Sequence, residues 1–196
     1  MAIYIKLLEK RKGDPFATSQ LALGHLFKGQ PEEANKVLEP AKDSDSPHIL
    51  YARGMTALFQ GKAKDAEAPL KQAKDKAAGQ TYIALAYAET LRQLGRLDEA
   101  ADAVSKNADA QASSRSLVEA YLGLVRVSQG QRAEGRALIE KALSAQPSYR
   151  KPQNLTHLMR LPPSAVREVE TILAEPAHEA TPTAGGTSTS KRGCGC

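Results

Sequence analysis

Apolar residues recur at spacings of three and four along most of this chain, and glycine interrupts the pattern at regular intervals. Such spacings put side chains on one face of a helix. Near the start, Ile3, Leu7 and Leu8 form one stripe, which predicts a short helix over residues 2–12. Four longer stretches then align with one another: "LALGHLFKGQPEEANKVLEPA", "YARGMTALFQGKAKDAEAPLKQA", "LAYAETLRQLGRLDEAADAVSKNA" and "YLGLVRVSQGQRAEGRALIEKAL". Their shared glycines are Gly29, Gly61, Gly95 and Gly130, spaced by 32, 34 and 35 residues. No strand is predicted.

Other positions repeat in step with the glycine. Seven residues before it stands Ala22, Gly54, Ala88 or Gly123, and five after it Ala34, Ala66, Ala100 or Gly135. Nine after it comes Leu38, Leu70, Val104 or Ile139, and twelve after it Ala41, Ala73, Asn107 or Ala142. The pattern describes a helix hairpin. Glycine ends the first helix in a left-handed turn, small residues let the two helices cross closely, and a branched residue fills the space beside them.

This pattern resembles the tetratricopeptide repeat family over residues 15–147, and Pro147 falls where that family often places a proline between repeats. The resemblance implies an all-α, right-handed solenoid of helical hairpins with about four repeats. Residues 1–14 and 148–175 are expected to be helical caps, and the tail over 176–196 to be disordered, for it holds almost no large apolar residue. The chain departs from the family at Thr18, Leu50, Ala84 and Glu119, where a large aromatic is common, and at Asn107 and Gly135, where alanine is usual. Pro40 falls near the end of one second helix. Pro69 lies within another, which predicts a kink there.

In this family the first helices of successive repeats line a concave groove that takes peptides. The helix period assigns four stripes to that face: Phe16, Ser19, Leu23 and Phe27; His48, Tyr51, Met55 and Phe59; Tyr82, Leu85, Glu89 and Gln93; and Leu117, Ala120, Leu124 and Ser128, with Tyr121 beside them. Leu23 and Leu117 read as core. Tyr51, Met55 and Phe59 read either as core or as an interface, where aromatic residues and methionine are enriched. Candidate partner-binding residues are therefore His48, Tyr51, Met55, Phe59, Tyr82, Leu85, Tyr121 and Leu124. Glu89 reads as a surface charge or a ligand contact, because an unpaired buried carboxylate is costly. The family's carboxylate-holding lysines and asparagines are not matched; Arg92 is the nearest cation. An apolar or helical protein segment is the expected ligand.

Composition adds limits. Hydrophobic residues make up 41% and charged residues 25%, and a net charge of +5 is spread among neighbouring acids rather than gathered in a nucleic-acid stripe. Lys6 breaks the N-terminal apolar run, so no secretory signal is read, and no stretch is apolar enough to cross a membrane. The expected compartment is the cytoplasm. His25, His48, His157 and His178 are dispersed, so neither catalysis nor a metal or other cofactor is expected. The chain ends in "KRGCGC". Cys194 and Cys196 leave four readings open: an idle end, a double lipidation site anchored beside Lys191 and Arg192, a soft-metal hook needing a partner's ligands, or an exchanging dithiol. The alternative function is accordingly a carrier or membrane-anchored adaptor.

Overall fold

The computed structural model describes residues 1–106, 112–145, 151, 154–156 and 160–175. Asn107, Pro147 and the tail from Pro176, with Cys194 and Cys196, lie outside the described residues. The elements are α1 (Ala2–Lys10), α2 (Pro15–Leu26), α3 (Pro31–Leu38), a 3-10 turn (Glu39–Ala41), α4 (Pro47–Phe59), α5 (Ala63–Lys76), α6 (Thr81–Gln93), α7 (Leu97–Ser105), α8 (Ala112–Ser128), α9 (Arg132–Ser144) and α10 (Pro163–Ala174). No strand occurs among the described residues.

Consecutive helices pair into four hairpins, α2/α3, α4/α5, α6/α7 and α8/α9. The first helices also stack on one another, α2 on α4, α4 on α6 and α6 on α8. The hairpin turns form as the glycine spacing predicts. Gly29, Gly61, Gly95 and Gly130 have φ of 73°, 72°, 78° and 83°. At each, the next residue's amide reaches back five residues: Gln30 to His25, Lys62 to Ala57, Arg96 to Leu91 and Gln131 to Arg126, all within 3.0 Å. The glycine amide itself bonds three residues back, which completes a Schellman motif and satisfies carbonyls the helix end would leave unpaired.

The small positions lie where the hairpins close. Ala22, Ala34, Ala66, Ala88 and Ala100 are fully buried, and Leu38, Leu70, Val104 and Ile139 fill the core beside them. Hairpin α8/α9 crosses backbone to backbone at its glycine pair. A Cβ on Gly123 would sit 2.7 Å from the Gly135 carbonyl oxygen, and one on Gly135 would sit 2.5 Å from that of Gly123. These are backbone atoms and cannot swing aside. Gly135→Ala should therefore lower stability by about 1–3 kcal/mol despite alanine's better helix propensity. Chemical denaturation checks this; unchanged or increased stability would show that the hairpin can open at no cost.

Helix α5 runs from Ala63 to Lys76 with Pro69 inside it, as the sequence pattern places it. One detail differs from the sequence expectation. In α1, Ile3 is 77% exposed, and the half-buried residues are Tyr4, Leu7 and Leu8. The inward stripe is thus Tyr4–Leu7–Leu8, one residue round from the predicted one. Pro40 lies in the 3-10 turn directly after α3, where its missing amide hydrogen ends the regular helix.

Candidate functional site

The first helices bring three tyrosines together: Tyr51 from α4, Tyr82 from α6 and Tyr121 from α8. The rings of Tyr51 and Tyr82 meet edge to face, 5.0 Å between centroids. Each tyrosine follows from the helix period, since each lies on the repeat face that turns toward the next first helix. The cluster is closed by a residue from far along the chain. Arg160 lays its guanidinium over the Tyr82 ring, 4.5 Å from the centroid, and within 5.9 Å of the Tyr51 ring. Its Nη1 donates to the Tyr51 hydroxyl at 3.2 Å, and the Tyr121 hydroxyl donates to the Arg160 carbonyl at 3.2 Å. A delocalised cation on an electron-rich aromatic face is a favourable pairing, and more so when shielded from water.

Tyr51 and Tyr121 are 2% and 3% exposed. Burial pushes both phenols above the ordinary tyrosine value, Tyr121 well above it. They therefore act as neutral hydrogen-bonding groups. Burial works against the Arg160 charge, but the phenolic oxygens of Tyr51, Tyr82 and Tyr121 offset it and the group stays cationic.

A second polar cluster lies at the C-terminal end of α6. Arg92 grips Glu89 with two bonds, Nε to Oε2 at 2.8 Å and Nη2 to Oε1 at 2.9 Å. Its Nη1 donates to Ser128 Oγ at 2.9 Å and pairs with Glu168 of α10 at 2.8 Å. Gln93 donates to Glu89 at 2.8 Å and to Ser164 at 3.3 Å. Burial opposes the Arg92 charge, and Glu89 and Glu168 more than offset it, so its pKa is raised. The expectation that Glu89 is a surface charge or ligand contact is overturned. It is 1% exposed, because Arg92 and Gln93, three and four residues on, fold back to pair it.

The remaining predicted residues divide. Met55, Leu85 and Leu124 are fully buried in the core, where no ligand reaches them without the helices parting. His48 is half-buried against Phe16, with ring centroids 5.3 Å apart, and Phe16 is 46% exposed. Phe59 is half-buried against Phe27 at 5.9 Å. So Tyr51, Tyr82 and Tyr121 converge on one point, His48 and Phe59 lie elsewhere on α4, and Cys194 and Cys196 lie outside the described residues. Arg160, Ser164 and Glu168 were not predicted. They sit outside the repeats, in a stretch whose only local cue is an arginine before "LPP".

Residues 82–105 match the family model for the tetratricopeptide repeat. Those residues carry one tetratricopeptide repeat, and the chain shares its fold with tetratricopeptide repeat proteins. The matched residues cover α6 and α7, the hairpin that holds Tyr82 and Arg92. PilF of Pseudomonas aeruginosa is similar in fold, with a TM-score of 0.58 and 24% identity over 82% of this chain and 75% of that one. YrrB, described as a TPR protein with an unusual peptide-binding site, has a TM-score of 0.55 and 21% identity over 82% of this chain and 81% of its own. MamA from Desulfovibrio magneticus RS-1 has a TM-score of 0.53 and 17% identity over 82% of this chain and 92% of its own. No curated protein matches the sequence. The TPR architecture is in general a scaffold for protein–protein interaction. Among the described residues of this chain, no helix is long and apolar enough to cross a membrane, and no three His, Cys, Asp or Glu side chains gather as a metal site would need.

Proposed function

We propose that this protein is a non-catalytic scaffold that holds a segment of a partner protein on the face formed by α2, α4, α6 and α8. The observation that carries the reading is the Tyr51–Tyr82–Tyr121 cluster, which already holds a stretch of polypeptide through Arg160. Three rings from three repeats build a stiff, amphipathic seat of the kind protein interfaces favour, with Tyr82 half-exposed and Tyr51 and Tyr121 buried where Arg160 engages their hydroxyls. The partner segment is extended or helical and largely apolar, with one polar anchor at the tyrosines. Met55, Leu85 and Leu124 support this surface from within the core rather than touch the partner.

Peptides selected on the full chain from a displayed library test the reading. They should bind the wild type and lose at least tenfold in affinity to Tyr82→Ala, whose half-exposed ring can be removed with the helical circular dichroism retained. Selected peptides that bind Tyr82→Ala as well as they bind the wild type would overturn it.

A further inference from the structure

Arg160 occupies the tyrosine cluster in an unusual way. It is the only non-glycine residue with positive φ among those described, at 56°. A side-chain-bearing residue avoids this conformation unless its surroundings hold it there. Here both ends of the residue are held, the guanidinium by Tyr51 and Tyr82 and the carbonyl by the Tyr121 hydroxyl. Leu161 follows, fully buried, with its amide bonded to the Leu155 carbonyl at 3.2 Å, and Pro162 then leads in extended geometry into α10.

The contacts of this stretch differ from those that fix α10. Helix α10 is anchored by an apolar face, Ala165, Val166, Val169 and Ile172, all buried. Its C-terminal end is tied to α9 by Arg132 and Arg136, which bond Glu175. Arg160 is instead held by a cation over aromatic rings and by two side-chain hydrogen bonds, with the buried Leu161 seated beside it. Those are the contacts of a bound peptide rather than of a helix-helix seam. None of the Arg160 contacts involves the buried apolar face of α10.

Resting on the reading that the tyrosine face is the binding face, we infer that Arg160 and Leu161 are a tethered self-ligand of that face. The partner that displaces them presents an arginine followed by an apolar residue. The guanidinium of the incoming segment takes the place of Arg160 over Tyr82 and within reach of the Tyr51 hydroxyl. Its backbone carbonyl takes the Tyr121 hydrogen bond. Because the self-ligand is part of the same chain, it competes at an effective concentration on the order of millimolar. The face is therefore closed to weak ligands, and apparent affinity is reduced by the fraction of molecules in the open state.

The test uses the full chain, its Arg160→Gly variant and a fluorescent peptide with the sequence of residues 155–164. Glycine keeps the positive φ without strain and removes only the competing side chain. The variant should bind the peptide at least tenfold more tightly than the wild type does. The same peptide with alanine in place of its arginine should bind the variant at least tenfold more weakly. Equal binding to wild type and variant overturns the inference, as does no binding to either. Should the variant lose its helical circular dichroism, the wild type alone decides. Excess peptide must then speed amide exchange at Leu161 while leaving the buried residues of α10 protected, and unchanged exchange overturns the proposal. The outcome is separable from that of the binding face itself. Library peptides that depend on Tyr82 but bind the wild type and Arg160→Gly equally leave the face standing and remove the self-ligand.

Discussion

Arg92→Ala is expected to cost about 3–5 kcal/mol of stability. The reason is asymmetry. Glu89 is 1% exposed and has its two oxygens on Arg92, so removing the guanidinium leaves a buried carboxylate with only Gln93 to pair it. Ser128 and Glu168 lose a partner at the same time. Their loss is smaller, because Glu168 is 32% exposed and water can replace the contact. Removing both charges with apolar residues of similar volume, as in Glu89→Met with Arg92→Leu, should recover most of the loss. A buried ion pair contributes little net stability even though breaking it is costly. Urea denaturation of the two single variants and the double variant measures this coupling. A loss below about 1 kcal/mol for Arg92→Ala would mean that Glu89 reaches water in solution and that the second polar cluster is misread.

Met55→Ala is expected to cost about 2–5 kcal/mol and to leave peptide binding unchanged in the fraction that stays folded. Met55 is fully buried, so its truncation removes core contacts and leaves a cavity between packed helices. A thermal melt with a peptide titration below the transition separates the two effects. If Met55→Ala instead melts like the wild type and weakens binding, the methionine belongs to the ligand surface and the division between core and face on α4 is wrong. The contrast with Tyr51 is instructive. Both lie on one stripe of α4, four residues apart, but Tyr51 carries its hydroxyl out to Arg160 while Met55 ends within the core.

These two residues show what the chain order makes legible and what it hides. The hairpins were readable because their determinants are local. Gly29, Gly61, Gly95 and Gly130 each need the left-handed turn at a helix end, and Gly123 and Gly135 are needed where two helices touch. Helix period also places Tyr51, Tyr82 and Tyr121 on one face. It cannot say which members of a stripe are covered, since a stripe wide enough to pack two neighbours includes both core and rim. Met55, Leu85 and Leu124 fall on the core side for that reason.

Glu89 was misread because its burial depends on a partner set that only folding assembles. Arg92 is near in sequence, but Glu168 and Ser164 arrive from α10. Arg160 was missed for a related reason. It follows no helix period, and its partners are Tyr51, Tyr82 and Tyr121, the nearest of them 39 residues away. Pro69 lies inside α5 between the fully buried Ala66 and Leu70, whose core packing favours keeping the helix in place across the missing hydrogen bond.

The central claim is that the face of the first helices, at the three tyrosines, is where this scaffold meets its ligand. Amide chemical-shift mapping with a library-selected peptide on the isotope-labelled full chain tests it most directly. The account predicts that the shifts gather on α4, α6 and α8 around Tyr51, Tyr82 and Tyr121, and on the Arg160 stretch. Shifts confined to the second helices, α3, α5, α7 and α9, would contradict it.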